Sequence, residues 1–371
     1  MTTSSTTSLA ELAEFGASIR AALAGLSGSE QVREAMFAAP APRAWEVLAG
    51  QLELPGLLLP EEHGGGGLTT VEAVVAFEEA GRALVPGPLF GTAALAVPLL
   101  AALGDAGALA GYGPRIAAGE LTATVALAED DGRWSPDAVT CRAEPDGDRW
   151  RVTGAKHLVV DGADAQLLLV AARTPDGELA VVAVEGGAAG LGRTPLVTLD
   201  LTRRMARLTL DGVPGTRVGG EATAAVAAAS DVARLLLAAE QVGGAQRCLD
   251  MVVGYAGQRI QFGRPIGSFQ AIKQRLADAL VQIESARSAV QAAARAGGAD
   301  LARDSRVAAL LATEAYTAIS AQNIQLHGGI GFTWEHDAHL YFKRARTSAQ
   351  LLGAPGDHVA ALAAVLDTEI D

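Results

Sequence analysis

The feature that most constrains this chain is a change of pattern made twice along its length. Residues 9–119 read as helical, interrupted by turn signals at 40–42 and by the glycine-rich loop 60–67. Residues 121–218 switch to short runs rich in Val, Leu and Thr, cut by Asp146-Gly147-Asp148, Asp161-Gly162 and Asp176-Gly177, the residue pairs that end strands. Within them Trp150 and Val152, and likewise Val139 and Cys141, alternate with polar neighbours as half-buried strands do. From 220 onward helical spacing returns, with Phe269, Ile272, Leu276, Ile283 and Val290 forming one apolar stripe. Strands gathered into one block exclude a nucleotide-binding βαβ chain, in which strands and helices alternate. The order predicts an α+β protein with an N-terminal helical domain (1–120), a middle β-domain (121–222) and a C-terminal helical bundle (223–371). A chain of 371 residues is long enough for such units to share sizeable cores.

Composition narrows the partners. Half of the residues are hydrophobic, largely Ala, Leu and Val, which suits closely packed helices. A net charge of −13 argues against affinity for nucleic acid or anionic lipid, both of which need clustered Lys and Arg. The two cysteines, Cys141 and Cys248, are far apart and lack CxxC spacing, so a reducing cytoplasm fits better than a disulfide framework. The first residues lack the basic and apolar regions of a signal peptide. The uncharged run 83–104 is long enough to suggest a membrane span, but Pro86, Gly87, Pro88, Gly91 and Pro98 punctuate it. A loop leading into a buried helix explains that punctuation better. His336 and His339 have usable metal spacing, yet no third ligand accompanies them, and no metal is expected. His157 and His358 carry no assignment.

Two segments carry chemistry. In 255–273, a Gly/Pro turn joins two helices; Arg259 and Arg264 offer forked donors suited to a diphosphate, while Phe262 and Gln270 offer an apolar face and an amide to a heterocycle or ribose. In Gln325-Leu326-His327-Gly328-Gly329-Ile330-Gly331, paired glycines let backbone N–H groups approach a phosphate closely. A glycine-rich turn also ends many helices, and a helical run before it excludes a Rossmann fingerprint.

The first segment resembles the FAD-binding signature of the acyl-CoA dehydrogenase family, Arg-polar-Phe before Gly-x-Pro-Ile-x-x-Phe-Gln, and the second resembles that family's Gln-x-x-Gly-Gly-x-Gly turn. The resemblance covers most of the chain, including the loop 54–67 and Gly154-Ala155-Lys156. It implies a barrel-like β-domain, a C-terminal four-helix bundle, FAD as cofactor, an acyl-CoA substrate, an electron-transfer acceptor and an oligomer in which the ADP half of FAD contacts a neighbouring subunit. By the same resemblance the FAD contacts are Arg259, Gln261, Phe262, Phe269, Gln270, Gln325, Leu326, His327, Gly328 and Gly329.

The chain departs from the family where chemistry is expected. A thioester α-proton needs a positioned base. The two places where family members carry a glutamate correspond here to Gly353 and to Ala233, beside Arg234. Glu240, two helical turns beyond Ala233, is a weak substitute, and for it, as for Asp231 and Asp357, a solvated or paired carboxylate is the plainer reading. Leu158-Val159-Val160 stands where the family has Trp-Ile-Thr beside the flavin, and Leu127-Ala128-Glu129-Asp130-Asp131-Gly132-Arg133-Trp134 stands where it has Thr-Glu-Pro-Gly-x-Gly-Ser-Asp. The pattern resembles the base-lacking subunit of bacterial α2β2 members. The leading expectation is therefore α,β-dehydrogenation of an acyl-CoA by an assembly containing this chain. The alternatives are a non-catalytic FAD-binding partner subunit, and a flavin oxidase or carrier-protein-bound acyl desaturase on the same scaffold.

Overall fold

The computed structural model describes residues 7–25, 29–37 and 42–370. Residues 1–6 and most of the turn expected at 40–42 lie outside them. The N-terminal part contains α1 (Leu9–Ala24), α2 (Ser29–Phe37), α3 (Pro42–Trp45), α4 (Thr70–Ala83), α5 (Val97–Leu103) and α6 (Ala106–Ala117). Capping boxes start two of them, Ser8 with Glu11 at α1 and Thr69 with Glu72 at α4. The apolar run 83–104 is folded inside the protein. Leu84 ends α4 in a left-handed conformation, and the buried π-helical stretch Phe90–Ala96 leads into α5. Among the described residues, no helix is long and apolar enough to cross a membrane.

The strands are β1 (Ala123–Ala126), β2 (Arg142–Asp146), β3 (Arg149–Val160), β4 (Leu167–Arg173), β5 (Leu179–Glu185), β6 (Leu191–Pro195) and β7 (Met205–Val218). Long antiparallel strands β3 and β7 form the spine, β6 adds to β7, and β1 lies parallel on β4. β5 pairs with both β4 and β7, and a single bridge joins β2 to β4, so the pairings return on themselves. Alternate side chains such as Val152, Leu168, Val170, Val182 and Leu208 form an apolar cluster of the β-domain's own. Lys156 is fully buried in this part of the chain, with Nζ 2.8 Å from Glu129 and 3.1 Å from the Leu127 carbonyl. Glu129 also accepts the N–H groups of Thr140 and Cys141. Burial opposes its ionisation, but Lys156, Thr140 and Cys141 outweigh it and lower the carboxyl to about 2. That carboxylate explains one departure from expectation: Val139 and Cys141 are buried and alternate with exposed Thr140, yet β2 begins only at Arg142, because the preceding N–H groups serve Glu129 rather than a neighbouring strand.

The C-terminal part is α7 (Thr223–Gln258), the hairpin β8 (Ile260–Gln261) and β9 (Arg264–Pro265), then α8 (Gln270–Ala296), α9 (Leu301–His327), α10 (Ala338–Ser348) and α11 (Pro355–Ile370). In the predicted stripe of α8, Ile283 and Val290 are buried and Ile272 and Leu276 half-buried. α7 also packs against α4 through a reciprocal glycine contact. A Cβ on Gly81 would lie 1.9 Å from the Glu240 carbonyl oxygen, and one on Gly243 would lie 1.8 Å from that of Glu78. Only glycine permits so close a backbone approach, and it sets Glu240 deep in the interior.

Candidate functional site

The two signature segments meet at one end of the helical bundle. Arg259 caps α7, and Gln261 and Phe262 lie on the exposed hairpin that follows. Phe262 is 92% exposed, with φ 53°. Its ring meets Phe269 edge-on at 6.1 Å, and the Arg264 guanidinium lies 4.1 Å from the centre of the Phe269 ring. Gln270 opens α8 on its exposed side, while Gln325, Leu326 and His327 close α9. A stack of rings joins the segments. Tyr255, one turn before Arg259, lies 4.5 Å from His327, which in turn lies 4.2 Å from His336. His327 Nδ1 sits 2.8 Å from the Asn323 carbonyl oxygen, and burial holds the imidazole below its usual pKa, hence neutral at pH 7. A Cβ placed at Gly328 or Gly329 would meet nothing within 4 Å, so the backbone there is open to approach. Guanidinium, amide and ring groups on one accessible surface fit the phosphate and adenosine end of FAD.

The positions expected to carry a base lie elsewhere. A cleft of about 580 Å³ is lined by Trp134, Asp231, Arg234, Arg306, Gly353 and His358 among others. Gly353 has φ 112°, and a Cβ there would meet His358 Cε1 at 2.9 Å. Burial, reinforced by Arg234 and Arg306, lowers the His358 imidazole to about 4. Ala233 is buried beneath this cleft. Leu158 is half-buried and Val159 and Val160 are buried, so the end of β3 presents neither a hydroxyl nor an indole.

Each nearby carboxylate already has a structural task. Asp231 accepts from Arg234 Nη1 at 2.5 Å, and Asp357 caps the Ala354 N–H at 2.9 Å. Glu240 lines a different, smaller space beside Val160 and Asp161. It is 6% exposed and accepts from Arg203 and from Arg344 Nη1, the latter at 2.7 Å. Arg344 also holds Asp200 at 2.7 Å, so two arginines and two carboxylates form one buried network. Burial alone would raise the Glu240 carboxyl, but Arg203 and Arg344 outweigh it and hold the pKa below the usual range. A carboxylate so held is a poor proton acceptor. Asp161 differs: burial pushes it up to about 7 despite Arg203 and a bond from the Gly91 N–H.

The network was not read from the sequence. Its one local signal is a glutamate directly after the apolar stretch 235–239 of α7, where a charge must find partners. Trp134 also went unassigned, although it lines the cleft.

Comparison with known proteins agrees with this architecture. The profile of the acyl-CoA dehydrogenase N-terminal domain matches residues 10–120, and that of the C-terminal domain matches 223–365. Acyl-CoA dehydrogenase IpdE2 of Mycobacterium tuberculosis is 37% identical over 345 residues, covering 91% of this chain and 88% of its own. Among solved structures, the Tcur3481-Tcur3483 steroid ACAD G363A variant superposes with a TM-score of 0.85 at 32% identity, covering 97% of this chain and 99% of that one. The ChsE4-ChsE5 complex from Mycobacterium tuberculosis superposes with a TM-score of 0.88 at 29% identity, covering 98% of each chain. Matched domains at both ends and a relative aligned along nine-tenths of the sequence place this chain in the acyl-CoA dehydrogenase family of FAD-dependent oxidoreductases.

Proposed function

We propose that this chain is the base-lacking subunit of a heteromeric acyl-CoA dehydrogenase. It lends Arg259, Gln261, Phe262, Phe269, Gln270 and the 325–329 turn to the ADP end of an FAD whose ring and base belong to a partner subunit. The assembly then carries out α,β-dehydrogenation of an acyl-CoA thioester and passes the electrons to an external acceptor. One observation carries the reading. Gly353, where a base is expected, has a left-handed backbone and is backed by the His358 ring, so that position is built around the absence of a side chain.

Further support comes from the separation of parts. The groups suited to ADP lie on an accessible surface, whereas the flavin-ring position at Leu158, Val159 and Val160 offers no polar contact. FAD, when bound, supplies the hydride acceptor. This chain's residues contribute phosphate neutralisation through the Arg259 and Arg264 guanidiniums and an aromatic surface through Phe262 and Phe269. The ChsE4-ChsE5 complex among the solved relatives favours a heteromeric assembly. The two buried free thiols, Cys141 and Cys248, suit a reducing location such as the cytoplasm.

Purification alone and together with a candidate partner tests this. The chain alone is expected to be colourless and inert towards acyl-CoAs with a dye acceptor. The co-purified assembly is expected to hold about one FAD per pair of chains and to turn over. One FAD per chain, with activity from the isolated protein, sinks the proposal.

A further inference from the structure

Two locally unfavourable features, at Leu352 and Trp134, meet beside Gly353 in this cleft. Leu352, 4% exposed, adopts φ 62°, a left-handed backbone that a branched side chain resists. Gly353 follows at φ 112°. The Trp134 indole lies half-buried with its Nε1–H buried and without a hydrogen-bond partner. Strain held at one place is evidence that the arrangement itself is retained for something.

What they accomplish together is visible in the neighbouring space. Behind the cleft lies a mainly apolar region bounded by Leu95 of the π-helical stretch, Leu99 of α5, Leu127 after β1, and Ala229, Ser230 and Ala233 of α7. Ala229 and Ala233, one turn apart on α7, are small and leave room on that face. Trp134 and Leu352 border both this region and the open cleft, and between them they leave only about 20 Å³, room for roughly one water. The left-handed turn at Leu352 and the Trp134 indole thus set two large apolar side chains on the boundary of this space.

We infer that Trp134 and Leu352 are plug residues that bar an apolar acyl tail from this chain's own cleft, and so confine tail binding to the partner's site. The inference rests on the base-lacking reading: the apolar region adjoins the cleft that holds Gly353, and Trp134 and Leu352 stand on the boundary between them. It makes two residues, far apart in sequence, determinants of where the assembly takes its substrate.

The test uses the full chain and the fluorescent fatty acid 11-(dansylamino)undecanoic acid. Wild type is expected to show no saturable binding, whereas Trp134→Gly binds one probe per chain at least tenfold more tightly. Ala233→Phe placed on that background refills the space and removes the binding. Leu352→Gly is the second opening: it relieves a strained backbone, so it reads out even if Trp134→Gly fails to fold. In the assembly with its partner, either opened variant is expected to add one bound probe per copy of this chain. Saturable binding by wild type equal to that of the variants, or folded variants that bind no more than wild type, overturns the inference. Probe binding requires no flavin, so that failure is separable from a failure of the stoichiometry experiment above.

Discussion

Replacing Glu240 distinguishes a structural carboxylate from a catalytic one. The side chain is 6% exposed and lies between Arg203 and Arg344. Arg344 keeps Asp200 if Glu240 is removed, but Arg203, whose only ion-paired carboxylate among the described residues is Glu240, is left with the Phe90 ring centre 4.4 Å from its guanidinium. Stranding one buried charge costs about 3–5 kcal/mol. For Glu240→Ala that corresponds to a fall in Tm of roughly 4–6 °C, at about 2 cal/mol/K of unfolding entropy per residue over a chain of this length. Glu240→Gln keeps the shape and one acceptor oxygen and should lose about half as much stability. Calorimetry gives the Tm, and turnover of the assembly well below it gives the activity. Activity of Glu240→Gln within about threefold of wild type is expected, because a carboxylate held ionised by two arginines is a poor proton acceptor, whereas loss of a general base would cost about 10²–10⁴-fold. An unchanged Tm with activity reduced a hundredfold would refute the reasoning. Because the folded-state carboxyl is depressed, its stabilisation is present above the ordinary carboxylate range and is lost as pH falls.

Gly353→Glu is expected to yield no autonomous dehydrogenase and to lower Tm, since the new side chain meets His358 on a left-handed backbone; dye reduction and a melting curve check both. Asp161→Asn tests a pH effect of opposite sign. The folded chain keeps a proton up to about pH 7 that the unfolded chain loses near 4, so wild type loses stability as pH rises between them, and the variant's Tm advantage should grow from pH 5 to pH 8. A Tm difference independent of pH contradicts it. Phe262→Ala, at a side chain 92% exposed, should leave Tm within a degree or two while lowering the flavin retained by the assembly during gel filtration. Equal retention would remove Phe262 from the cofactor surface.

The readable and unreadable parts of this protein differ by range in sequence. The succession of helix, strand and helix, and the segments at 259–270 and 325–329, are written in neighbouring residues, through period, turn chemistry and a continuous motif. The buried network is not local: Glu240 reaches Arg203 across 37 residues and Arg344 across 104. Likewise Gly353 is an evident gap in a motif, but the reason it cannot simply be refilled lies in a backbone angle and in the ring of His358. Trp134 and Leu352 come from the β-domain loop and the turn before α11, and only the folded chain sets them against one apolar space.

The stack of Tyr255, His327 and His336 has a bearing on assembly. It spans from α7 to the end of α9 and on to the segment before α10, and so fixes the hairpin and the glycine turn relative to each other within a single chain. Under the proposed function, a partner docking with its flavin meets a hairpin and a glycine turn tied to each other by these rings, which reduces the conformational entropy to be lost on contact. Association of the two subunits should then be governed by the rate of correctly oriented encounter, and it should respond to salt more than to temperature-driven loop ordering.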